Sequence, residues 1–354
     1  MKAIILLGGK GTRLLPLTTN TPKPLIPLFN HSFLAYQIEL LKQYGISEVI
    51  FSLGYLPKRI KDYLESRKDW GISIRCVVEE EPLGTAGAIK NAEALLKKEK
   101  FLVLNGDILT NINLSSFISS HQNKNAKATI TLVIVDDPSS YGLVKLDKKG
   151  SIKQFLEKPS WAESSGCKTI NAGIYVFDPD ILSYIPPRRN FSIERELFPI
   201  LLQRKERFFG YVTKDYWLDI GTLEKYKQAH RDIFEKKITF SFLSFKKGDE
   251  SVWFEGDSRI SPGAKLIGPI MISENCKIAD GVEISPFSVI GKNCIFENNA
   301  KIINSIILEG TRIGKNTKIE GCILGKHCQI ENNVTISEGV ALGDKSIVKA
   351  FSQL

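Results

Sequence analysis

The sequence contains no long hydrophobic run. Its longest unbroken apolar stretch runs from Ala3 to Leu7, whereas a membrane-spanning helix needs about 20 apolar residues and the core of a signal peptide at least about 7. We therefore expect no membrane partner and a cytoplasmic location. The 354 residues are 43% hydrophobic and 25% charged, a balance that excludes disordered and collagen-like chains and predicts two globular domains.

Cysteine and histidine are scarce. The six cysteines form no C-x-x-C pair, so free thiols suit this chain better than disulfides or redox centres. The four histidines, none of which has a plausible nucleophile beside it in the sequence, are His31, His121, His230 and His327. Catalysis of the Ser-His-Asp or Cys-His type is therefore not expected.

The positive charge is confined to the first part of the chain. Residues 251–354 hold 11 basic and 11 acidic side chains, which leaves 37 basic and 28 acidic ones in residues 1–250 and accounts for the net charge of +9. A basic region of this kind suits small anionic substrates such as phosphates. The chain has no arginine-rich run and no paired aromatic RNA-binding motif, so a nucleic-acid partner is not expected.

Short apolar runs alternate with helical patterns in the first hundred residues. This βαβ series predicts a mostly parallel sheet with helices on both faces. Its segments are Ala3–Leu7, Phe33–Tyr44, Glu48–Leu53, Lys58–Ser66, Ile72–Val78, Ala86–Lys97 and Phe101–Leu104. Later strand-like segments have little helix between them and predict additional mixed strands that carry a substrate pocket. They are Ala128–Val135, Leu143–Leu146, Ile152–Leu156 and Ile170–Phe177.

The last hundred residues repeat every six positions, which predicts a parallel β-helix with three hexapeptides to a coil and about five coils. We expect a catalytic domain over 1–235, a linker over 236–250 and the repeat domain over 251–354. The repeat slips near Leu308–Ile313 and Ile319–Leu324. Its apolar positions are Ile260, Leu266, Ile272, Ile278, Ile284, Ile290, Phe296 and Ile302, and then Ile330, Ile336, Leu342 and Val348.

Four cysteines of the repeat occupy one recurrent slot, two residues before an apolar repeat position. They are Cys276, Cys294, Cys322 and Cys328. Small residues fill the same slot in the other hexapeptides, which predicts a tight interior corner. We therefore expect structural thiols here and no zinc site.

A glycine-rich loop directly follows the first predicted strand. The stretch Leu7-Gly8-Gly9-Lys10-Gly11-Thr12-Arg13 allows the backbone to approach a ligand and to point N–H groups at an anion. It lacks the Gly-Lys-Ser/Thr of a Walker A loop and the third glycine of the dinucleotide fingerprint. Arg13 and Lys23, the latter held between Pro22 and Pro24, add positive charge.

Residues 6–27, LLGGKGTRLLPLTTNTPKPLIP, closely resemble the nucleotide-sugar pyrophosphorylases, which are sugar-1-phosphate nucleotidyltransferases. The resemblance implies a Rossmann-like mixed, mostly parallel sheet domain followed by a left-handed parallel β-helix. It implies that Gly8, Gly9 and Gly11 wrap the nucleotide phosphates and that Arg13 stabilises the departing pyrophosphate. It also implies that Lys23 contacts phosphate and that Leu7 and Thr12 belong to the nucleotide site.

Residues 79–88, EEEPLGTAGA, look like the base-binding loop of that family. The expected nucleotide contacts are Glu79, Gly84 and Thr85. Relatives that use thymidine or uridine nucleotides often carry Gln at the start of this loop. Glu79 offers only acceptors when ionised, and guanine presents adjacent N–H donors, so the residue favours GTP. A solvated acidic turn is the alternative interpretation of the glutamate run.

Two aspartates are expected to meet. Asp107 follows a buried strand in Leu104-Asn105-Gly106-Asp107, at the carboxyl edge of the sheet where ligands bind in such folds. Asp219 lies in Trp217-Leu218-Asp219-Ile220-Gly221-Thr222, which resembles a late motif of the family. Two carboxylates together with substrate phosphates form the site that Mg²⁺ prefers, so Asp107 and Asp219 are the predicted metal ligands and catalytic residues.

Three later motifs resemble the sugar side of the family's site. They are Tyr141-Gly142-Leu143-Val144, Phe155-Leu156-Glu157-Lys158-Pro159 and Asn171-Ala172-Gly173-Ile174-Tyr175. The resemblance implies that Gly142 makes backbone contacts to the sugar and that Glu157 binds its hydroxyls. It also implies that Lys158 binds the sugar phosphate and that Asn171 hydrogen-bonds the hexose ring. In isolation each motif would be only a strand end or a turn. The helix at Ser192–Pro199 also resembles the family, and we interpret it as mainly structural.

The reaction implied by these motifs is the attack of a sugar-1-phosphate oxygen on the α-phosphorus of a nucleoside triphosphate. The best match is the branch that uses GTP and mannose-1-phosphate; adenylyl-, thymidylyl- and uridylyltransferases of glucose-1-phosphate share the scaffold. One alternative is an acyltransferase activity of the β-helix with His327 as base, and another is a non-catalytic subunit that senses nucleotide-sugars. The flat faces of the β-helix also suit the assembly of a homo-oligomer.

Overall fold

The computed structural model describes residues 1–67, 69–157, 167–243, 246–247 and 251–354. Contacts divide the chain into two compact units. The first contains residues 1–10 and 34–219, and the second contains residues 11–33 and 220–354. Among the described residues, no helix is both long and apolar enough to cross a lipid bilayer.

The N-terminal part of the chain alternates strands and helices. Its strands are β1 (Lys2–Leu7), β2 (Pro27–Leu28), β3 (His31–Ser32), β4 (Glu48–Leu53), β5 (Ser73–Val78), β6 (Phe101–Asn105), β7 (Ile108–Thr110), β8 (Ala128–Ile134), β9 (Gly142–Leu146), β10 (Ile152–Glu157), β11 (Thr169–Phe177), β12 (Phe208–Val212) and β13 (Trp217–Asp219). Among the described residues, the α-helices are α1 (Phe33–Gln43), α2 (Pro57–Ser66), α3 (Gly84–Asn91), α4 (Glu93–Leu96), α5 (Leu114–Asn123), α6 (Phe198–Gln203) and α7 (Leu223–Phe234). A π-helical turn, Ile193–Leu197, precedes α6.

Nine of the described strands form the mixed sheet of the first unit, in the order β10-β9-β11-β6-β1-β4-β5, with β8 paired to β11 and β12. Strands β6, β1, β4 and β5 are parallel, and β11 runs antiparallel beside β6. The central strand β1 is apolar and mostly buried, as expected of a strand with covered faces. The predicted α/β fold with added mixed strands is therefore confirmed.

Aromatic side chains fill the core beneath the added strands. The Phe198 ring lies 5.0 Å from Phe155 and 5.7 Å from Tyr175 between ring centroids, and Tyr175 stacks on Phe177 at 5.5 Å. Edge-to-face and offset pairs of this kind stabilise a core beyond the area they bury. This packing fixes β10 and β11, the strands that carry two of the predicted sugar motifs.

The second unit consists of a left-handed parallel β-helix together with residues 11–33 and helix α7. Its strands are β14 (Lys246–Lys247), β15 (Val252–Glu255), β16 (Arg259–Ile260), β17 (Lys265–Leu266), β18 (Ile270–Ser273), β19 (Lys277–Ile278), β20 (Glu283–Ile284), β21 (Ser288–Ile290), β22 (Ile295–Phe296), β23 (Lys301–Ile303), β24 (Ile306–Ile307), β25 (Arg312–Ile313), β26 (Lys318–Glu320), β27 (Ile323–Leu324), β28 (Gln329–Ile330), β29 (Thr335–Ile336), β30 (Ala341–Leu342) and β31 (Ile347–Val348). From β15 onward, every third strand pairs in parallel to form one of three faces.

The strand register explains the slips in the repeat. Ile278 lies opposite Phe296, a full three-hexapeptide coil later. Phe296 in turn lies opposite Ile313, one residue short of a full coil. The shortened step falls between Ile302 and Ile307, and a second one falls between Ile319 and Leu324. Two hexapeptides have therefore lost one corner residue each, and the parallel pairing absorbs both losses.

The interior of the β-helix matches the periodic prediction. The repeat side chains of the central coils, such as Ile284, Phe296 and Ile319, are almost completely buried. The described cysteines are all free, and those of the repeat are fully buried. The Cys276 thiol donates to the Gly291 carbonyl at 3.2 Å, and the Cys294 thiol donates to the Leu308 carbonyl at 3.3 Å. The cysteine slot is therefore a corner of the β-helix in which a small side chain can donate a hydrogen bond to a backbone carbonyl of the same coil.

One face of the β-helix is apolar on its outer side as well. Met271, Val289 and Ile306 point away from the interior and are still buried. Helix α7 and the segment of residues 11–33 cover this face, because Phe29 and Phe234 pack against Trp253 at 5.7 and 5.1 Å. This packing explains why residues 11–33 belong to the second unit.

Candidate active site

The first part of the glycine-rich loop, Gly8 and Gly9, follows β1 and is exposed. A side chain at Gly54 would lie 2.9 Å from the Gly8 α-carbon, so the two backbones approach closely. The space at Gly9 is open, since a β-carbon there would meet no atom within 4 Å. Leu7 is buried, and its side chain fills the space that a β-carbon at Gly106 would need. A nucleotide contact from Leu7 would therefore use its backbone.

The rest of the loop belongs to the second unit. Gly11 has a φ of +66°, a conformation that favours glycine, and it precedes the short 3₁₀ turn Thr12–Leu14. The Thr18 hydroxyl donates to the Gly11 carbonyl at 2.9 Å. A β-carbon at Gly11 would lie 3.2 Å from the Lys23 β-carbon. Thr12 and Arg13 are exposed on this turn, and Lys23 is half-buried beside it.

Glu79 directly follows strand β5, and its carboxylate lies beside Gly8. A β-carbon at Gly8 would lie 3.3 Å from Glu79 Oε1. Oε1 accepts from the Ser52 hydroxyl at 3.0 Å, and Oε2 accepts from the Leu83 backbone N–H at 3.2 Å. A carboxylate has about four acceptor positions. These two bonds fix the carboxylate and leave acceptor capacity for a ligand.

Gly84 and Thr85 begin helix α3 and tie it to the π-helical turn. Gly84 has a φ of +67°, and a β-carbon there would lie 2.8 Å from the Phe191 carbonyl oxygen. The Thr85 hydroxyl donates to Glu194 Oε2 at 3.1 Å and accepts from the Ile193 N–H at 2.8 Å. Both positions therefore have structural functions in addition to the nucleotide contacts that remain predicted for them.

Glu194 is the centre of a polar network that the sequence did not reveal. Besides Thr85, its carboxylate accepts from the Ser192 hydroxyl at 3.0 Å and from the buried Tyr175 hydroxyl at 3.3 Å. The Asn171 carboxamide donates to that tyrosine oxygen at 2.9 Å. Burial, with the Glu194 carboxylate nearby, raises the pKa of Tyr175 well above its ordinary value, so the phenol stays a neutral donor. The network joins Thr85, in the predicted base-binding loop, to Asn171.

Replacing Glu194 with alanine is expected to reduce the free energy of unfolding by about 2–3 kcal/mol, because the buried Tyr175 hydroxyl loses its acceptor and Thr85 loses a charge-assisted bond. Glu194→Gln keeps an acceptor oxygen and should reduce the free energy of unfolding by less than half as much as the alanine variant does. Urea unfolding followed by circular dichroism measures both. Equal losses for the two variants would mean that packing, and not the hydrogen bonds, gives Glu194 its role.

The two predicted metal ligands come together through strand pairing. Asp107 directly precedes β7, and Asp219 is the last residue of β13. The strands pair antiparallel with Asp219 opposite Ile108, the residue after Asp107. Gly106 allows this turn, because a β-carbon there would lie 2.6 Å from the Leu6 carbonyl oxygen. Both carboxylates are half-buried.

Neighbouring side chains fix this carboxylate pair. The Tyr141 hydroxyl donates to Asp219 Oδ1 at 3.0 Å, and the Tyr141 ring packs edge-on against Trp217 at 5.6 Å. The Trp217 indole N–H donates to the Ala172 carbonyl at 2.8 Å. On the other side, the buried Gln37 carboxamide donates to the Asn105 carbonyl at 2.9 Å and to the Ile108 carbonyl at 3.3 Å. Hydrogen bonds therefore restrain Asp219 and the turn that bears Asp107.

The donor set fits Mg²⁺. This ion prefers oxygen ligands and is commonly held by one or two carboxylates together with substrate phosphates and water. Asp107 and Asp219 supply two carboxylates, and the described residues contain no group of three or more His, Cys, Asp or Glu side chains able to hold a metal. If the predicted pair held such an ion, the other coordination positions would remain for substrate and water.

The predicted sugar contacts Gly142, Glu157 and Asn171 lie on three adjacent strands, because β9 lies between β10 and β11. Gly142 of β9 lies opposite Glu157 of β10. A β-carbon at Gly142 would lie 3.1 Å from Glu157 Oε2, so the absent side chain leaves room for the carboxylate. Asn171 accepts from the Gly173 N–H at 3.0 Å, which holds its carboxamide in place. Lys158 lies outside the described residues.

Three residues that sequence reasoning missed support this arrangement. Tyr141 and Tyr175 belong to the predicted sugar motifs, but the sequence indicates a role only for Gly142 and Asn171 in them. Glu194 lies in the helix interpreted as mainly structural. A tyrosine next to a motif glycine and an acidic residue two positions after a helix-capping serine are too common in sequences to select. Their hydrogen bonds to Asp219 and Tyr175 become evident only after folding.

The sequence profile of the Nucleotidyl transferase family matches residues 2–236, and that of the EIF2B subunit epsilon LbH domain matches residues 249–354. The probable mannose-1-phosphate guanylyltransferase 3 of Oryza sativa subsp. japonica is 34% identical over 329 residues, which cover 92% of this chain and 86% of the relative. The UTP–glucose-1-phosphate uridylyltransferase of Synechocystis sp. is 31% identical over 345 residues, which cover 90% and 86%.

A solved structure is also similar to the chain. The crystal structure of HddC from Yersinia pseudotuberculosis complexed with GMP-PN superposes with a TM-score of 0.56 and is 33% identical in sequence. The match covers 64% of this chain and 97% of that protein.

Proposed function

Because the chain belongs to the Nucleotidyl transferase family, we propose that it transfers a guanylyl group from GTP to mannose-1-phosphate and releases pyrophosphate. The observation that carries this proposal is the pairing of β7 with β13, in which Asp219 lies opposite Ile108, the residue after Asp107. The similarity to plant mannose-1-phosphate guanylyltransferases supports the choice of substrates.

The reaction needs no covalent enzyme intermediate. An oxygen of the sugar phosphate forms a bond to the α-phosphorus, and the bond from that phosphorus to the bridging oxygen of pyrophosphate breaks. A phosphate oxygen is already an adequate nucleophile, so the protein contributes in-line positioning and charge neutralisation. Arg13 and Lys23 are the cations proposed to neutralise the leaving pyrophosphate.

Asp107 and Asp219 are the residues that would hold Mg²⁺. When bound, the ion supplies neutralisation of the phosphate charge that develops during transfer. The chain's own contribution is to hold two carboxylates in fixed positions. The Tyr141 hydroxyl on Asp219 Oδ1 restrains one of them, and the Gln37 bonds to the Asn105 and Ile108 carbonyls restrain the turn that bears the other.

On the nucleotide side, Gly8, Gly9, Gly11 and Thr12 are proposed to surround the phosphates. The base is proposed to lie at Leu7, Glu79, Gly84 and Thr85. Glu79 supports guanine, because its carboxylate is held by Ser52 and Leu83 and still has acceptor positions for two neighbouring N–H donors. HddC, whose sequence is 33% identical to this chain, has a crystal structure in complex with GMP-PN, which also supports a guanine nucleotide.

On the sugar side, Gly142, Glu157, Lys158 and Asn171 are the proposed contacts. The first two lie opposite each other on paired strands, and Asn171 lies on the strand that pairs with β9 on its other side. Carboxylate and carboxamide groups of this kind bind hydroxyl groups. A sugar held here would complete the substrate pair.

We also propose the functional division 1–235, 236–250 and 251–354, which the extents of the two family matches support. The repeat domain is proposed to assemble a homo-oligomer, since stacked flat faces suit side-by-side packing. A cytoplasmic location is proposed with it, on the absence of a spanning helix among the described residues.

Pyrophosphate release tests the proposal. The purified protein is incubated with Mg²⁺, each of GTP, ATP, UTP and dTTP, and each of mannose-, glucose- and N-acetylglucosamine-1-phosphate. We expect the highest kcat/KM with GTP and mannose-1-phosphate. Glu79→Gln should lower kcat/KM for GTP by about tenfold through the loss of a charged acceptor. Glu80→Gln, a change at the exposed neighbouring residue, is the matched control and should leave it unchanged.

Each other outcome changes a different part of the proposal. Faster turnover with UTP and glucose-1-phosphate would place the chain with relatives such as the Synechocystis uridylyltransferase and would overturn the guanine argument from Glu79. No turnover with any pair would favour the alternative hypothesis that the chain is a non-catalytic subunit that senses nucleotide-sugars.

A further inference from the structure

A chain of hydrogen bonds connects one proposed nucleotide contact with one proposed sugar contact. It runs from Thr85 through Glu194 and Tyr175 to Asn171. Thr85 lies in the first turn of α3, and Asn171 lies on β11. Glu194 lies in the π-helical turn and is not itself among the proposed substrate contacts. We refer to these four side chains as the Glu194 chain.

The centre of the Glu194 chain requires a carboxylate. Glu194 Oε2 accepts from the Thr85 hydroxyl at 3.1 Å and from the Ser192 hydroxyl at 3.0 Å. The other oxygen, Oε1, accepts from the Tyr175 hydroxyl at 3.3 Å. A carboxylate can accept at both oxygens, whereas a carboxamide accepts at only one. A glutamine at this position could therefore serve one end of the chain and not both.

The Tyr175 end of the chain fixes the orientation of Asn171. Because the Tyr175 hydroxyl donates to Glu194, its oxygen remains as an acceptor, and the Asn171 amino group donates to it at 2.9 Å. The Gly173 N–H donates to the carboxamide oxygen of Asn171 at 3.0 Å. The carboxamide is therefore held at both ends. One of its N–H groups and one lone pair of its oxygen remain for a sugar hydroxyl.

The Thr85 end of the chain holds the first turn of α3. The Thr85 hydroxyl donates to Glu194 and accepts from the Ile193 N–H at 2.8 Å, so both the position and the direction of this hydroxyl are fixed. The Ala86 N–H donates to the Phe191 carbonyl at 2.8 Å. These bonds fasten the predicted base-binding loop to the segment that carries Glu194.

On the basis of the proposed function, we propose that Glu194 is a positioning residue for both substrates. It holds Thr85 for the nucleotide directly, and it orients Asn171 for the sugar phosphate through the Tyr175 hydroxyl. Because a positioning residue of this kind acts on binding contacts, changes in the chain raise dissociation constants selectively and leave kcat within about threefold of the wild-type value.

Tyr175→Phe tests the sugar side of the chain. The variant keeps the ring that packs against Phe177 and Phe198 and removes only the hydroxyl. Isothermal titration calorimetry of the full chain uses Mg²⁺ with GTP alone or mannose-1-phosphate alone, so that no transfer occurs. We expect the Kd for mannose-1-phosphate to rise by about tenfold, the loss of one hydrogen bond to a positioned group. The Kd for GTP should stay within about twofold.

Two variants of Glu194 test its central position. In Glu194→Gln the single acceptor oxygen is expected to face the two hydroxyls that converge on Oε2, which leaves Tyr175 without an acceptor. This variant should therefore reproduce the Tyr175→Phe pattern, and the double variant should be no worse than either single one, because both break the same hydrogen bond. Glu194→Ala removes both connections and should raise the Kd for each substrate by about tenfold.

Glu196→Gln is the matched control. Glu196 lies in the same turn, and its carboxylate accepts from the Ser192 N–H at 2.8 Å, outside the Glu194 chain. Both dissociation constants should be unchanged. Thermal melting followed by circular dichroism shows whether each variant is folded. If Glu194→Ala does not fold, the Tyr175→Phe and Glu194→Gln variants decide alone.

The outcomes separate this proposal from the proposed function. An unchanged Kd for mannose-1-phosphate in Tyr175→Phe and Glu194→Gln would overturn the positioning role, even if the wild-type protein is active. Equal rises in both dissociation constants for Tyr175→Phe would also overturn it, because general loosening does not distinguish the substrates. Selective binding losses in a wild-type background without turnover would support the positioning role and contradict only the proposed transfer. No binding of either substrate to the wild-type protein would overturn both.

Discussion

Asp107→Asn is expected to lower kcat for nucleotidyl transfer by about 10³-fold or more, because the variant keeps the shape of the side chain and removes a charge from the proposed metal site. Asp219→Asn should have an effect of similar size. The double variant should be little worse than either single one, since the two carboxylates would act as a unit. Pyrophosphate release at saturating substrate measures all three.

The matched control for this prediction is Asp215→Asn. Asp215 is an aspartate four positions before Asp219, and its carboxylate accepts from the Asn113 N–H at 3.1 Å and the Thr213 hydroxyl at 2.7 Å. It belongs to the loop before β13 and is not proposed to touch substrate, so kcat should change by less than about threefold. If Asp107→Asn retained activity close to that of the control, the proposed site would be wrong.

Phe296→Ala is expected to reduce the free energy of unfolding of the β-helix by about 3–5 kcal/mol. The ring is 1% exposed at an inward repeat position, so its removal combines lost apolar burial with a cavity. Adjacent coils of a solenoid stabilise each other through their shared interface, and Phe296 lies between Ile278 and Ile313 on the neighbouring coils. Urea unfolding with hydrogen exchange at the β-helix amides measures the loss.

Ile295→Ala is the control for this core substitution. Ile295 precedes Phe296 on strand β22 and is only half-buried, because successive side chains of a strand alternate between faces. Its truncation should cost less than about 1.5 kcal/mol. Equal losses at the two positions would contradict the assignment of inward and outward sides.

The sequence predicted the local structure of both halves of the chain. Six-residue spacing of apolar side chains predicts a β-helix because each coil places the same position in the same environment. The buried Ile284 and Ile319 fit that pattern. The slip at Ile319–Leu324 was also visible, whereas the other slip lies between Ile302 and Ile307, earlier than the predicted Leu308–Ile313. The registers of Phe296 with Ile313 and of Ile319 with Ile336 show that each slip removes a single corner residue.

The candidate site was partly predictable for a similar reason. Gly8, Gly9 and Gly11 stand in one short loop whose composition already suits a phosphate. Asp107 and Asp219 are far apart in the chain, and their association was expected from two motifs. The pairing of β7 and β13 then placed Asp219 opposite Ile108.

Other features had no local signal. The bonds of Glu194 to Thr85 and Tyr175, and of Tyr141 to Asp219, join residues whose types are common in turns and strands. Similarly, His230 lies in an ordinary amphipathic helix, and its sequence does not indicate that both ring nitrogens lack partners among the described residues.

The sequence by itself determined the two architectures, the glycine-rich loop and the residue types of the candidate site, because periodicity and composition act on neighbouring residues. The tertiary structure alone decided that residues 11–33 join the β-helix unit, that Glu194 links Thr85 to Tyr175, and that His230 packs against Phe29 and Tyr226. These features depend on which distant segments pack together. Such packing follows from the total burial and hydrogen bonding of the whole chain, which no local pattern records.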